Sequence, residues 1–380
     1  MRAVVIGAGI IGLACAEELI RAGHDVRVFD PTPAQGATHA AAGMLAPAGE
    51  AWHGEESLLR LGLASAARWP EYAARLRAQS GIDVDLRTFG TVFAGRDHDD
   101  LQVVRRTLEL LESQGIPFEH LDRRGLLWQE PALSTRVAGG ALLPEDHNVN
   151  PRRVAAALIG IVGQRLVRRA ASATDEGVVL RDGTTVTSDV VIVATGATSG
   201  EDSDTRYVRP VKGEIVRARM DDPPGRVVRA RVYGESVYVV PRADNEVLIG
   251  ATEEEKPGDP VPTVGGVTRL LNAARALVPG LETAEILDIT ARHRPGTPDN
   301  GPVLGPVGTE PGATCPRIIA TGHYRGGVLL APLTAQVVRA YVEGTAVPEE
   351  ALPFTPDRFA PEAEQPEQNT QKQNRRARTA

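Results

Sequence analysis

The stretch Ala3-Val-Val-Ile-Gly7-Ala-Gly9-Ile-Ile-Gly12-Leu-Ala-Cys-Ala-Glu-Glu-Leu-Ile-Arg-Ala-Gly23 decides the fold. The β-branched run before Gly7 has the character of a fully buried strand. Gly7, Gly9 and Gly12 follow it in the spacing G-x-G-x-x-G. A run of good helix formers comes next and closes at Gly23, a residue suited to the left-handed position just past a helix. A second apolar strand, Val26-Arg-Val-Phe29, ends at Asp30, and 30 − 12 = 18 residues separate that acid from the last glycine.

Each part has a physical job. Gly7 permits the tight turn, Gly9 lets backbone approach a pyrophosphate, and Gly12 lets helix and strand pack closely. Ile10 and Ile11 open a helix whose N–H groups and positive dipole end face phosphate. Asp30 is placed to accept hydrogen bonds from an adenosine ribose diol. The glycine triplet alone is a feature of many turns. With a strand before, a helix after and an acid at this distance, it reads as dinucleotide binding.

Composition sets the bounds around this motif. A chain of 380 residues fits two or three domains of about 150 residues each. Hydrophobic residues at 42% and charged residues at 24% are ordinary for a globular protein. No apolar run is long enough to cross a membrane, and a buried strand at residue 3 leaves no room for a signal peptide. A soluble, cytoplasmic protein is expected. Cys15 and Cys315 provide neither a disulfide framework nor metal-ligand spacing, and the dispersed histidines form no metal-ligand pair. Of 42 basic residues only Lys212, Lys256 and Lys372 are lysines, and the net charge is −7. The arginines are scattered, so no nucleic-acid surface is expected.

Further along, Thr38-His-Ala-Ala-Ala-Gly43-Met44-Leu-Ala-Pro47 is dominated by small residues, as needed where backbone passes a flat ligand. Glu55 to Gln79 has a helical pattern interrupted at Pro70. Val84 to Ala94 reads as a strand pair, Asp99 to Gln114 as a helix, and Asp122 to Pro131 as a short helix. Asn150 and Pro151 form an N-cap and first-turn pair leading a helix to about Gln164. Strands flank the turn at Asp182-Gly183, and Asp189 to Ala194 is a second buried parallel strand that runs into Gly196. Val211–Met220, Val227–Val240 and Glu246–Thr252 alternate as in an antiparallel sheet. A helix over Val264–Leu277 precedes a strand at Ile286–Ala291. Arg317 to Gly322 is a strand running into His323–Pro332, before a final helix at Leu333–Glu343. The tail at 360–380 lacks apolar periodicity and reads as disordered.

Cofactor-type strands thus alternate with sheet-like segments. The expected architecture is α/β: a Rossmann-like cofactor domain from 1–83, 148–206 and 287–356, and an antiparallel-sheet substrate domain from 84–147 and 207–286.

Gly7-x-Gly9-x-x-Gly12, Ala41-Ala-Gly43-Met44-Leu-Ala-Pro47, Pro210-Val-Lys-Gly213-Glu, Tyr238-Val-Val-Pro-Arg242, Arg294-Pro-Gly-Thr-Pro-Asp299 and Gly322-His-Tyr-Arg325-x-Gly327 occur in order. Together they resemble the glycine oxidase group of the FAD-dependent D-amino-acid oxidase family, from about residue 3 to Phe359. The resemblance implies non-covalent FAD with its pyrophosphate at Gly7, Gly9, Ile10, Ile11 and Gly12. Its ribose would meet Asp30, with Pro31, Ala37, Thr38 and Gly196 completing the set. Ala42, Gly43 and Met44 would pass beside the flavin, and His323, Tyr324, Arg325, Gly326, Gly327, Val328 and Leu329 would close over it. The last helix would aim its N-terminus at the flavin O2 carbonyl, where a dipole stabilises negative charge.

An amino acid held flat against a flavin needs its carboxylate fixed, and a guanidinium does so bidentately. An arginine taken alone is usually a surface residue. The motif context singles out Arg294 for the carboxylate, Tyr238 for a further hydrogen bond, and Arg325 and Met44 as neighbours. The implied reaction moves a hydride from the α-carbon of a neutral amine to flavin without an obligatory side-chain base, orientation being the protein's part. The imine gives an α-keto acid and ammonia (glyoxylate from glycine), O2 takes up the electrons as H2O2, and the imine feeds the thiazole of thiamine. A homo-oligomer is implied too.

Some positions depart from the pattern. Ala291-Arg292-His293 stands where the family carries Ala-Gly-Leu, and Ser236 and Glu253 stand near the pocket. Glu253 reads as a solvent-facing strand end; pointing inward it would disfavour a second carboxylate. His39 lies where related dehydrogenases attach FAD covalently. A secondary-amine (sarcosine-like) oxidase, or a D-amino-acid dehydrogenase with another acceptor, is the alternative. An NAD(P)-linked reductase would need a second glycine motif, and none follows Gly12. A non-catalytic flavin-binding protein would not depend on Arg294.

Overall fold

A computed structural model describes residues 1–201, 205–255, 258–307 and 315–359. The tail expected to be disordered lies outside the described residues.

The opening unit forms as its residue pattern dictates. Strand β1 (Arg2–Ile6) leads through the glycine turn into helix α1 (Ile10–Arg21), and strand β2 (Asp25–Phe29) returns parallel to β1 with Val5 opposite Val28. On its other side β1 pairs in parallel with Val190–Val193, the second buried strand. Arg317–Thr321 extends this sheet, with Val303–Val307 antiparallel at one edge and Leu166–Val167 at the other. Both faces are buried, and the alternation along β1 splits two cores. Ala3 and Val5 pack with α1 and the closing helix, while Val4 and Ile6 pack with Val178 and Leu180 of a small three-stranded sheet. A continuous apolar run is therefore required here.

The second sheet has eight strands. Its long edge strand Glu285–Gly296 pairs with Arg209–Arg219, then come Glu246–Gly250, Glu235–Pro241, Val227–Val232, Thr91–Gly95, Gly139–Leu143 and Glu119–Asp122. Helix Val264–Leu277 covers one face and buries Leu270, Ala273, Ala274 and Leu277 against it. Its N-cap Thr263 is held by Glu214, which also pairs with Lys212 at 2.8 Å, so two residues of the Pro210–Glu214 motif serve packing. Residues 287–296, grouped above with the cofactor segments, run along Arg209–Arg219 within this sheet.

Several elements differ from their sequence reading. Between Val84 and Ala94 there is one strand, Thr91–Gly95, and not a pair. The Asp83 carboxylate accepts the Asp85 N–H at 2.9 Å and Asp85 sits at φ 56°, so a side-chain turn replaces the first strand. The interruption expected at Pro70 is present: Glu55–Gln79 is two helices, Glu56–Ala66 and Trp69–Ser80, with Pro70 in the first turn of the second. The strand expected to end at Ala291 continues to Gly296. The last helix begins at Gly327, six residues before Leu333. Pro332 removes the N–H that would bond the Val328 carbonyl without stopping the helix, and Ser65 and Trp69 donate to the next carbonyl, that of Leu329, at 2.7 and 2.9 Å. No helix among the described residues is long and apolar enough to cross a membrane.

Candidate active site

A cavity of about 1140 Å³ runs between the two large sheets. One end is the glycine turn. Gly7 sits at φ +100°, and a Cβ there would fall 2.3 Å from the Ala194 carbonyl oxygen. A Cβ on Gly12 would fall 2.0 Å from the Gly7 carbonyl oxygen, so this glycine serves helix-strand contact beneath the cavity. At Gly9 an added Cβ would meet only Thr38 Oγ1, at 3.5 Å, leaving the turn open toward the cavity. Gly9 is also the N-cap of α1 and offers no side-chain partner to its amides. Thr38 Oγ1 accepts the Ile10 N–H at 3.0 Å. This is a cradle for an anion.

Asp30 lines the cavity, and its two oxygens accept the N–H groups of Ala8 and Thr32, each at 2.7 Å. The carboxylate therefore fixes the turn first; lone pairs remain for a diol. Pro31, Ala37, Thr38, Ala42, Gly43, Met44 and Gly196 line the same space, as do Ile10 and Ile11. Gly326 and Leu329 line a second cavity of about 50 Å³ behind the His323–Gly326 segment.

The small-residue segment is locked from below. Gly43 has φ +75°, and a Cβ there would fall 2.0 Å from the Val149 carbonyl oxygen. Buried Arg242 donates to Asn148 Oδ1 at 2.6 Å and to the Ala42 carbonyl. Burial pulls its guanidinium down to about 9. His39 does not line the cavity: Arg152 donates to its carbonyl at 3.0 Å and to its Nε2 at 2.9 Å. Burial and the Arg152 charge hold this imidazole below its ordinary range.

At the other end stands Arg294. Because its strand runs to Gly296, Arg292 and Arg294 share a face. Gly213 on the neighbouring strand makes room, since a Cβ there would fall 2.1 Å from Arg294 Nη1. That nitrogen donates to the Thr252 carbonyl at 3.1 Å. Tyr238 has room over Gly250, where a Cβ would fall 2.2 Å from the phenol oxygen. Burial pushes this phenol up, partly offset by Arg294 beside it, so it stays a donor. Arg292 donates to the Gln35 carbonyl at 2.8 Å, tying the edge strand to the cofactor side. The Nε2 of His293 is buried without a hydrogen-bond partner among the described residues.

His323, Tyr324 and Arg325 form the wall between the two cavities. His323 Nε2 is 2.9 Å from Thr334 Oγ1, and burial pushes its imidazole down to about 3. Tyr324 is pushed up by burial and by the Glu253 carboxylate that it bonds. Arg325 lies over the Tyr324 ring at 5.0 Å and 3.9 Å from Glu55. Burial lowers its guanidinium, and the opposing pull of Glu50, Tyr324, Glu253 and Glu55 wins. Ser236 is exposed and does not line the cavity, and Glu253, itself exposed, reaches the site through Tyr324 and through its pull on Arg325.

Three residues of the site are missed by the sequence reading. Glu50 lines both cavities and pairs with Arg229 at 3.0 Å. Asp146 accepts the N–H groups of Ala48 and Gly49 at 3.1 and 2.6 Å, and burial pushes it up to about 7. An acid just past Ala-Gly-Met-Leu-Ala-Pro is a signal for Glu50; Asp146 and Arg229 carry none.

An anion cradle opening into a large chamber that a guanidinium also lines is the arrangement of a dinucleotide-binding protein. The chain belongs to the FAD dependent oxidoreductase family, whose model matches residues 2–341. It is 32% identical to the glycine oxidase of Geobacillus kaustophilus (strain HTA426) over 366 residues, 92% of this chain and 95% of that one. The crystal structure of glycine oxidase from Geobacillus kaustophilus superposes with a TM-score of 0.85 at 32% identity, covering 93% of this chain and 98% of that chain. The bifunctional protein ThiO/ThiG of Trichormus variabilis (strain ATCC 29413 / PCC 7937) is 32% identical over 89% of this chain and 52% of its own length. The chain thus spans about half the length of the ThiO/ThiG relatives that it matches. The glycine turn, the open Gly9 position and the narrow Ala42–Gly43 segment fit FAD, the cofactor of this family.

Proposed function

We infer that this chain oxidises glycine, and small D-amino acids or sarcosine, to the α-keto acid, ammonia (methylamine from sarcosine) and H2O2. One amino acid, one O2 and one water are consumed per turnover. The observation that carries this reading is Arg294, seated on Gly213 beside Tyr238 in the chamber that the glycine turn opens into.

Gly7–Ile11 and Ala42–Met44 would hold FAD, which would supply the two-electron redox chemistry between substrate and O2. The chain's own groups bind and orient. With one Arg294 nitrogen tied to Thr252, the remaining N–H groups fork a carboxylate, and the Tyr238 hydroxyl adds a donor. Fixing the carboxylate at two points sets the α-carbon against the face bounded by Ala42, Gly43 and Met44. Glu50, held ionised by Arg229 despite burial, is a weak proton acceptor, so the amine loses its proton to solvent before reaction. On this reading the cofactor segments are 1–83, 148–206 and 287–356 and the substrate segments 84–147 and 207–286, with Arg294 carried by the part of 287–356 that joins the eight-stranded sheet. The ThiO/ThiG relatives support a supply of glycine imine for the thiazole of thiamine.

The test is a panel of glycine, sarcosine and D-amino acids with the purified holoenzyme. Peroxide release with glycine, and flavin bleaching by glycine without oxygen, are expected. Bleaching without peroxide would assign a dehydrogenase, and no response to any amine would overturn the reading.

A further inference from the structure

Glu50 stands out because it places an acid inside a chamber built to receive an acid. Its position is imposed. Asp146 holds the two preceding N–H groups, and a Cβ on Gly49 would fall 2.9 Å from Asp146 Oδ2 and 3.4 Å from Arg229 Cδ. The carboxylate then meets Arg229 at 3.0 Å and faces both cavities beside Tyr324 and Arg325. Arg229, Arg325 and Arg294 together hold it below the ordinary carboxylate range against the effect of burial.

The nearby cations are not equally free. Arg229 is paired with Glu50, and Arg325 is held by Glu50, Glu253 and Glu55, whereas Arg294 donates to the neutral Thr252 carbonyl. One substrate carboxylate takes Arg294. A second would find Arg325 and Arg229 already neutralised and would meet Glu50 in a site of low dielectric, where like charges are costly.

Resting on the oxidase reading above, we propose that Glu50 determines specificity: it restricts the site to amines bearing a single carboxylate and rejects those with a second acidic group. Glu50 acts here by charge, not as a proton acceptor.

The probes are acetate, malonate and monomethyl malonate, bound to FAD-loaded protein and followed by calorimetry at pH 8. The ester has nearly the size of malonate with one charge fewer. Wild type should bind acetate and should favour the monoester over malonate by at least about tenfold. Glu50→Gln should erase that preference or reverse it, and Glu50→Asp should restore it. A purely structural role would move both ligands together. Equal binding of malonate and its ester to wild type overturns the proposal, as does an unchanged preference in FAD-loaded Glu50→Gln. Should Glu50→Gln fail to fold, the wild-type pair and Glu50→Asp still decide. Acetate binding with neither larger anion binding shows that size sets the limit, which also overturns it. No binding of acetate removes Arg294 as the anchor, and the inference falls with it.

Discussion

Arg294 and Gly213 form a single unit: the guanidinium occupies the space that any side chain at 213 would need, with Nη1 only 2.1 Å from the position of a Cβ. The carboxylate anchor therefore depends on a missing methyl group on the neighbouring strand. Gly213→Ala should displace Arg294 and weaken substrate binding, visible as a raised KM with flavin retained. Loss of a charge-assisted fork is worth about 1.5–3 kcal/mol, or about 10–150-fold. A Gly213→Ala enzyme with an unchanged KM would show that Arg294 does not touch substrate.

The Tyr238 hydroxyl is a smaller contributor. Tyr238→Phe should raise KM by about fivefold, the worth of one neutral hydrogen bond near 1 kcal/mol. Steady-state kinetics beside Arg294→Met, which should lose far more, ranks the two.

Two glycines of the turn should fail in different ways. Gly7→Ala places a Cβ against the Ala194 carbonyl in a left-handed conformation, so the fold itself should lose at least about 2 kcal/mol. Gly9→Ala meets no protein obstacle closer than 3.5 Å. The apoprotein should keep its Tm, while FAD affinity falls at least about tenfold because the methyl group enters the pyrophosphate space. Tm with and without FAD separates the cases.

His39 should not carry the flavin. Its Nε2 is turned to Arg152, away from the cavity. Acid precipitation should leave a colourless pellet and a yellow supernatant. A yellow pellet would require the ring to leave Arg152.

Asp146 should make stability depend on pH. Burial raises its folded carboxyl from an ordinary 3.8 to about 7, so between these values the folded state holds a proton that the unfolded chain has released. Stability from this group is thus greatest below about pH 4 and declines as pH rises toward 7. Asp146→Asn lacks that titration, so the Tm gap between wild type and Asp146→Asn should narrow from pH 4 to pH 7.

What the sequence reveals and what it hides follow the range of the interactions. The glycine turn, the second buried strand, the Asn150–Pro151 helix start and the helix Val264–Leu277 are set within a few residues, and all are legible. The start of the last helix is not, because Pro332 reads as a stop, and the Ser65 and Trp69 groups that bond this turn lie far back in the chain. The Asp83–Asp85 turn hides within a pattern that alternates like a strand. Motif residues give Arg294 and Tyr238, whereas Glu50 acquires meaning only when Arg229 and Asp146 arrive from segments about 100 or more residues away. Gly213 and Gly250 appear in sequence as bare letters; their purpose is the volume that they leave to Arg294 and Tyr238.

The six-stranded sheet takes a central strand from residues 2–6 and a further strand, one removed from it, from residues 317–321, and the helix beginning at Gly327 leans on α1. During synthesis the nucleotide cradle emerges long before its opposite wall. A nascent chain released before about residue 330 has the turn but no chamber, so coenzyme capture waits for that late segment.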